Sequence, residues 1–206
     1  MAEHFTLLHL GCGRVGRRLH QFDKLISPRL SPHTIITLDR DSDVQPDLVC
    51  NLGLDPIPLH DNSVDLAVAI HVLEHIGQQG VTGEWFYFWE ELYRVLKPGG
   101  KLQFESPLWT SVWSWADPSH TRALSEQAFC FFDQDAYRIP GSPISPYRIC
   151  CDFVAKPMEH VADPYLQLLA LEAVSMLRGT LTARKPLKPW WEDPLNLTAP
   201  SQADVG

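Results

Sequence analysis

A doubly wound α/β domain, with a mostly parallel sheet and helices on both faces, is the fold class this sequence predicts. Three observations carry that prediction. An apolar run, Leu7-Leu8-His9-Leu10, gives way to closely spaced glycines at Gly11, Gly13 and Gly16, as a strand does when it turns tightly into a helix. A second β-branched run, Thr34-Ile35-Ile36-Thr37-Leu38, ends on Asp39, at roughly the interval at which such folds set a carboxylate at the close of their second strand. Apolar runs then alternate with a helical pattern up to Glu105, which is how βαβ units read in sequence.

The strand prediction continues through residues 47–50, 64–70 and 100–105. Between the last two, residues 83–96 carry Trp85, Phe86, Phe88, Trp89, Leu92, Tyr93 and Leu96, a broad apolar helical face stopped by Pro98-Gly99-Gly100. Those aromatics are expected to pack on the sheet rather than box a ligand. Residues 106–120 read as a Trp- and Pro-containing loop beyond a strand end, where open α/β sheets bind ligands. A short helix follows at residues 125–132, then a strand at 147–154 and an apolar helix at 163–178 with Leu166, Leu168, Leu169, Leu171, Val174 and Leu177. One domain over residues 1–185 is expected, with 186–206 as an extended C-terminal tail.

The 206 residues, 45% of them hydrophobic, suffice for one full core. A formal net charge of -8 argues against a nucleic-acid partner held by phosphate neutralisation. Residues 1–6 lack the basic start and apolar core of a secretion signal, and no run approaches the ~20 apolar residues of a membrane helix, so a cytoplasmic protein without membrane insertion is expected. Five cysteines, Cys12, Cys50, Cys130, Cys150 and Cys151, are odd in number and lack C-x-x-C spacing, which favours reduced thiols over a disulfide framework or a cysteine metal site.

The physical reading of the first two motifs is a cofactor turn. Glycine lets the main chain approach a ligand with no Cβ in the way, and a helix starting there aims N–H groups at an anion. Asp39 offers acceptors for both hydroxyls of a ribose.

In their order along the chain, Leu8-His9-Leu10-Gly11-Cys12-Gly13, Asp39, Pro46-Asp47-Leu48-Val49-Cys50-Asn51-Leu52, Asp61-Asn62-Ser63-Val64-Asp65-Leu66, His71-Val72-Leu73-Glu74-His75-Ile76 and Glu91-Leu92-Tyr93-Arg94-Val95-Leu96-Lys97-Pro98-Gly99-Gly100 together resemble the class I S-adenosylmethionine-dependent methyltransferases, a Rossmann-like family. The resemblance covers roughly residues 7–135. It implies that the backbone of Gly11, Cys12 and Gly13 lies against the methionine half of S-adenosylmethionine, that Asp39 holds the ribose, that Asn51 and Leu52 flank the adenine, and that His71 closes the fourth strand beside the cofactor. The sequence departs from the family twice. His9 stands where many members carry an acid for the methionine ammonium, and Gly16 comes one residue later than the commonest spacing. The stretch Asp117-Pro118-Ser119-His120-Thr121-Arg122 resembles a post-strand element of some members, which makes His120 the general-base candidate and Arg122 a substrate-carboxylate or structural partner. His75 completes the catalytic candidates.

Three rival readings remain at this level. His71-Val72-Leu73-Glu74-His75 spells H-x-x-E-H, the inverted zinc-hydrolase signature, which needs both histidines on one helical face; a strand ending at His71 keeps the rings apart, and no metal site is expected. The glycine turn and Asp39 would serve an NAD-dependent dehydrogenase equally well. A catalytically idle cofactor-binding or scaffold protein is the third, motivated by His9, the stretched glycine loop and the apolar helix near residues 165–177, which could bury a partner instead of completing the fold. The reading adopted is methyl transfer to an oxygen, nitrogen or carbon nucleophile of a small or medium-sized acceptor, under a roof formed by residues 107–122 and 137–147 with Trp109, Trp113, Trp115 and Tyr137. A homodimer is compatible with it.

Overall fold

The structure, a computed structural model, describes residues 4–14, 34–142, 144–162 and 174–193. Its strands are β1 (Thr6–Leu10), β2 (Thr34–Asp39), β3 (Leu48–Val49), β4 (Val64–Ile70), β5 (Leu96–Pro107), β6 (Phe153–Ala155), β7 (Glu159–Ala162) and β8 (Val174–Ala183). They form one sheet in the order β3-β2-β1-β4-β5-β8-β6, with β7 also paired to β8. The pairs β3-β2, β2-β1, β1-β4 and β4-β5 are parallel, and β8 lies antiparallel to β5. Strand order reverses between β1 and β4, so a crevice opens at their carboxyl ends.

Both faces of the central strands are dry. Leu8 and Leu10 of β1, with Ala67 and Ala69 of β4, join the larger core, while Leu7, Leu66, Val68 and Ile70 form a second cluster with Phe5. Side chains that alternate between two buried faces are what near-continuous apolar strands require. The helix α1 (Gly83–Val95) lays Trp85, Phe88, Trp89 and Leu92 into the larger core. Trp89 stacks on Phe132 at 4.4 Å and meets Phe129 edge-on, so the aromatic face packs the fold, as expected. The C-terminus of α1 also fixes the segment after β3: Arg94 donates to the carbonyls of Ile57 and Leu59 and to Asp61, and Glu91 accepts from Arg94 and from the Ile57 N–H.

The last third of the chain departs from the sequence reading. Residues 174–178, expected to close a helix, open β8 instead, while 163–173 lie outside the described residues. From Ser175 to Ala183, buried and half-buried residues alternate strictly, a period of two that the leucines upstream mask when read together with it. The strand expected at residues 147–154 shrinks to Phe153–Ala155, the one at 47–50 to Leu48–Val49, and the short helix near 125–132 is a 3-10 segment, Glu126–Phe132. Strand β5 runs from Leu96 to Pro107, longer at both ends than expected. Tyr137 stacks on Trp190 at 5.4 Å and donates to the Phe131 carbonyl, and Tyr147 packs against Phe86. Among the described residues, no helix is long and apolar enough to cross a membrane.

Candidate active site

Three strand ends meet at the crevice. Register pairs Leu10 with both Leu38 and Ala69, so Gly11, Asp39 and the end of β4 emerge side by side at one edge of the sheet. The chain must turn at once there. Gly11 and Gly13 both take φ of +57°, the left-handed region that disfavours side chains. A Cβ on Gly11 would lie 2.5 Å from Val72 Cγ2.

Asp39 ties the turn to the second strand. Its Oδ2 accepts the Gly13 N–H at 2.7 Å, and its Oδ1 accepts the Asp41 N–H at 3.0 Å. The Cys12 N–H donates to the Leu38 carbonyl and the Cys50 N–H to the Asp39 carbonyl, both at 3.0 Å. Each carboxylate oxygen has a second lone pair available toward the crevice.

The resulting cleft is open to solvent and has a volume of about 210 Å³. Gly11, Gly13, Asp39, Asn51, Leu52 and His71 all line it. Cys12, expected beside the cofactor, is buried beneath the turn and does not line the cleft. Leu38, Arg40, Cys50, Val72, Ile76 and Ser119 complete the wall with His75. The sequence reading gave none of these six a role in the site, although all but Arg40 lie within the strands and motifs it quotes. Burial pushes the Cys50 thiol up to about 11, with Asp55 and Glu91 adding to it, so this cysteine remains protonated at neutral pH. His9 is buried within β1 and is absent from the wall, so it does not take the place of the missing acid.

The loop expected as the roof contributes Ser119 to the wall, while Trp109 and Trp115 stand exposed without lining it and Tyr137 and Tyr147 pack elsewhere. Thus the described residues of 137–147 do not line the cleft: their aromatic rings are taken up by Trp190, Phe86 and Phe131.

The catalytic candidates separate. His75 and His120 face one another edge to face, with ring centroids 4.8 Å apart, and His75 donates through Nδ1 to the Ser119 carbonyl at 3.0 Å. His120 stands behind His75, with Nε2 3.9 Å from Glu74 Oε1 and 3.8 Å from Asp117 Oδ2. Arg122, offered above as a substrate or structural partner, takes the structural role. It donates to the carbonyls of Ile76, Gln78 and Val81 and lies 4.4 Å over the Trp85 ring, so its donors bind main chain instead of facing the cleft.

Glu74 is the residue the sequence reading undervalued. It is 1% exposed, yet it accepts from Ser106 Oγ at 2.9 Å and lies 3.2 Å from His71 Nδ1. His71 itself has φ of +54° and the following residues Leu73–His75 form a single 3-10 turn. The H-x-x-E-H segment is therefore not a helix, and the hydrolase reading loses the common helical face it needs.

Residues 8–104 match the family described as a methyltransferase domain. No curated protein matches the chain in sequence. Among solved structures, the methyltransferase in complex with the Haloferax volcanii Trm112 methyltransferase activator is 16% identical over 91% of this chain and 86% of that one, with a TM-score of 0.59. A SAM-dependent methyltransferase from Archaeoglobus fulgidus is 15% identical over 87% and 86% of the two chains, with a TM-score of 0.54. The [4+2]-cyclase SpnF is 20% identical over 89% and 76%, with a TM-score of 0.51. At these identities the likeness is one of fold.

Proposed function

We propose that this chain is a class I S-adenosylmethionine-dependent methyltransferase, on the match of residues 8–104 to a methyltransferase domain and on its Rossmann-like fold, and that it methylates an oxygen, nitrogen or carbon nucleophile of a small or medium-sized acceptor. The observation that carries the placement of the cofactor is the bond from the Gly13 N–H to Asp39 Oδ2. It joins the two motifs, 26 residues apart, at the rim of one cleft.

The residues present fit the cofactor. Asp39 would hold the ribose hydroxyls, Asn51 would meet the adenine edge, Leu52 would cover its face, and the Gly11–Gly13 backbone would lie along the methionine half. When bound, S-adenosylmethionine supplies a methyl group already activated by a positive sulfur. The chain then has mainly to align the acceptor, which can account for most of the acceleration. The acceptor would enter beside His75 and Ser119. His75, with His120 edge-on behind it, would take up its proton where the nucleophile carries one.

A non-transferring use of the same pocket is the second reading, favoured by His9 being buried and by a fold shared with a protein named as a cyclase. Calorimetry with S-adenosylmethionine, followed by transfer of labelled methyl to a panel of small acceptors, separates the two. Binding with turnover supports the proposal, binding without turnover across the panel supports the second reading, and absence of binding removes both.

A further inference from the structure

We propose that Glu74, His75 and His120 form a binding site for a divalent transition-metal ion, of the zinc type, between the cofactor cleft and a second concavity beside it. One ligating atom from each of the three lies within 4.8 Å of the other two. Atoms sharing a tetrahedral ion at bond lengths of about 2.0–2.2 Å stand roughly 3.3 Å apart, so less than about 1 Å of movement per side chain would close the shell.

The polar accounting around His120 points to a missing occupant. Its side chain is 8% exposed, its Nδ1 has no hydrogen-bond partner, and its Nε2 is too far from Glu74 and Asp117, at 3.9 and 3.8 Å, for a hydrogen bond to either. A buried ring nitrogen without a partner, here Nδ1, is costly. The spacing to Glu74, too long for contact and too short for empty space, suits a single bridging ion.

The surroundings are those of metal ligands. His75 gives its Nδ1 proton to the Ser119 carbonyl, which leaves the lone pair of the neutral ring on Nε2 and fixes the ring plane. Ser106 Oγ and His71 Nδ1 hold the two oxygens of the Glu74 carboxylate. Two imidazoles and one carboxylate suit zinc or a neighbouring first-row ion, whereas magnesium and calcium favour all-oxygen sets. Three protein ligands leave at least one position open. His75 lines the cofactor cleft, and His75 and His120 with Gly77, Gln79 and Glu84 line the second concavity, so that position is available to an acceptor oxygen or nitrogen. This last role rests on the methyl-transfer reading and shifts activation of the acceptor from the imidazoles to the ion; ion binding itself does not depend on it.

The test uses the full chain stripped by a chelator and titrated with zinc chloride against a chromophoric competitor, with cobalt(II) visible absorption as a report on ligand geometry. One equivalent is expected, with tetrahedral-type cobalt bands. His75→Ala and His120→Ala should each weaken zinc at least tenfold while far-UV circular dichroism is unchanged. His160→Ala, which removes the exposed pair of His160 with Glu126, should leave the affinity unaltered. His75 is half-exposed, so its variant remains informative should His120→Ala fail to fold. Substoichiometric zinc, an affinity indifferent to both variants, or an equal loss in His160→Ala overturns the proposal and leaves water as the bridge. Calorimetry of S-adenosylmethionine on the same stripped protein reports the cofactor reading separately, so failure of one is not failure of the other.

Discussion

Replacing Asp39 with alanine tests the cofactor site most directly. In the structure its carboxylate already accepts two main-chain N–H groups, from Gly13 and Asp41, and its proposed task is to accept two ribose hydroxyls as well. A hydrogen bond to a charged group contributes ~1.5–3 kcal/mol. Asp39 is only half-buried, which argues for the low end, so two such bonds amount to about 3 kcal/mol, or roughly a hundredfold in Kd. Loss of the Gly13 anchor adds to this by loosening the glycine turn. Asp39→Asn discriminates the contributions: the amide keeps one acceptor oxygen but presents its NH2 to either a main-chain N–H or the ligand, so it should fall between wild type and alanine. Isothermal calorimetry with S-adenosylmethionine and with its demethylated product reads both, with thermal melting as the fold control. An Asp39→Ala protein that melts normally and binds within threefold of wild type would refute the ribose assignment.

Four other perturbations follow from the geometry. Gly11→Ala places a methyl against Val72 in a backbone region that costs a side chain ~1–2 kcal/mol, so both melting temperature and cofactor affinity should fall; an unchanged melt would contradict the turn as described. Asn51→Ala should weaken the cofactor by about three- to tenfold, the worth of one neutral hydrogen bond, in calorimetry. Arg122→Ala should lower stability by ~2–3 kcal/mol through three lost carbonyl contacts and the Trp85 stack, while cofactor affinity of the folded protein stays within twofold; a selective loss of affinity or turnover at unaltered stability would instead return Arg122 to the active site. The Arg94 guanidinium, and then the Ile57 amide, hold the Glu91 carboxyl below the ordinary carboxylate range against the opposing effect of burial. Its folded pKa being depressed, its contribution is complete above the unfolded value near 4.5 and disappears as pH falls through the folded value. Glu91→Gln should accordingly lose less stability than wild type between pH 6 and pH 3 in denaturant titrations.

What was legible in the sequence tracks how local the physics is. Gly11, Gly13 and Asp39 were readable because a tight turn leaves few residue choices and a strand end has a fixed place in a parallel sheet. The apolar face of α1 was readable because one helix repeats its pattern over thirteen residues. Strand β8 was not, since its partners are β5, β6 and β7 and its alternation is set by those long-range pairings rather than by its own composition. Arg122 was ambiguous because a guanidinium reads the same whether it meets a substrate carboxylate or three carbonyls. The Tyr137–Tyr147 segment was misplaced for a related reason: an aromatic ring does not declare in sequence which other ring it will cover.

The segment His71-Val72-Leu73-Glu74-His75 shows how geometry decides between chemistries that share a spelling. On a helix, residues 71 and 75 would stand one turn apart and share a face, with Glu74 as a base beside a metal. Here β4 runs to Ile70, His71 takes a left-handed conformation, and one 3-10 turn follows. That path sends His71 to the cleft wall, drops Glu74 into the core beneath it, and leaves His75 facing His120 from the distant loop. The glutamate thereby changes from a base into a ligand, and the second histidine of any metal pair comes from 45 residues downstream of His75 rather than from the motif. A search on the pentapeptide alone would have found the wrong pair. Exchanging His71 for asparagine, a residue that also tolerates the left-handed region, should therefore weaken zinc less than His120→Ala does, because it removes a partner of the Glu74 carboxylate and not a ligand. The opposite order would mean that the motif binds as it is spelled, against the path of the chain described here.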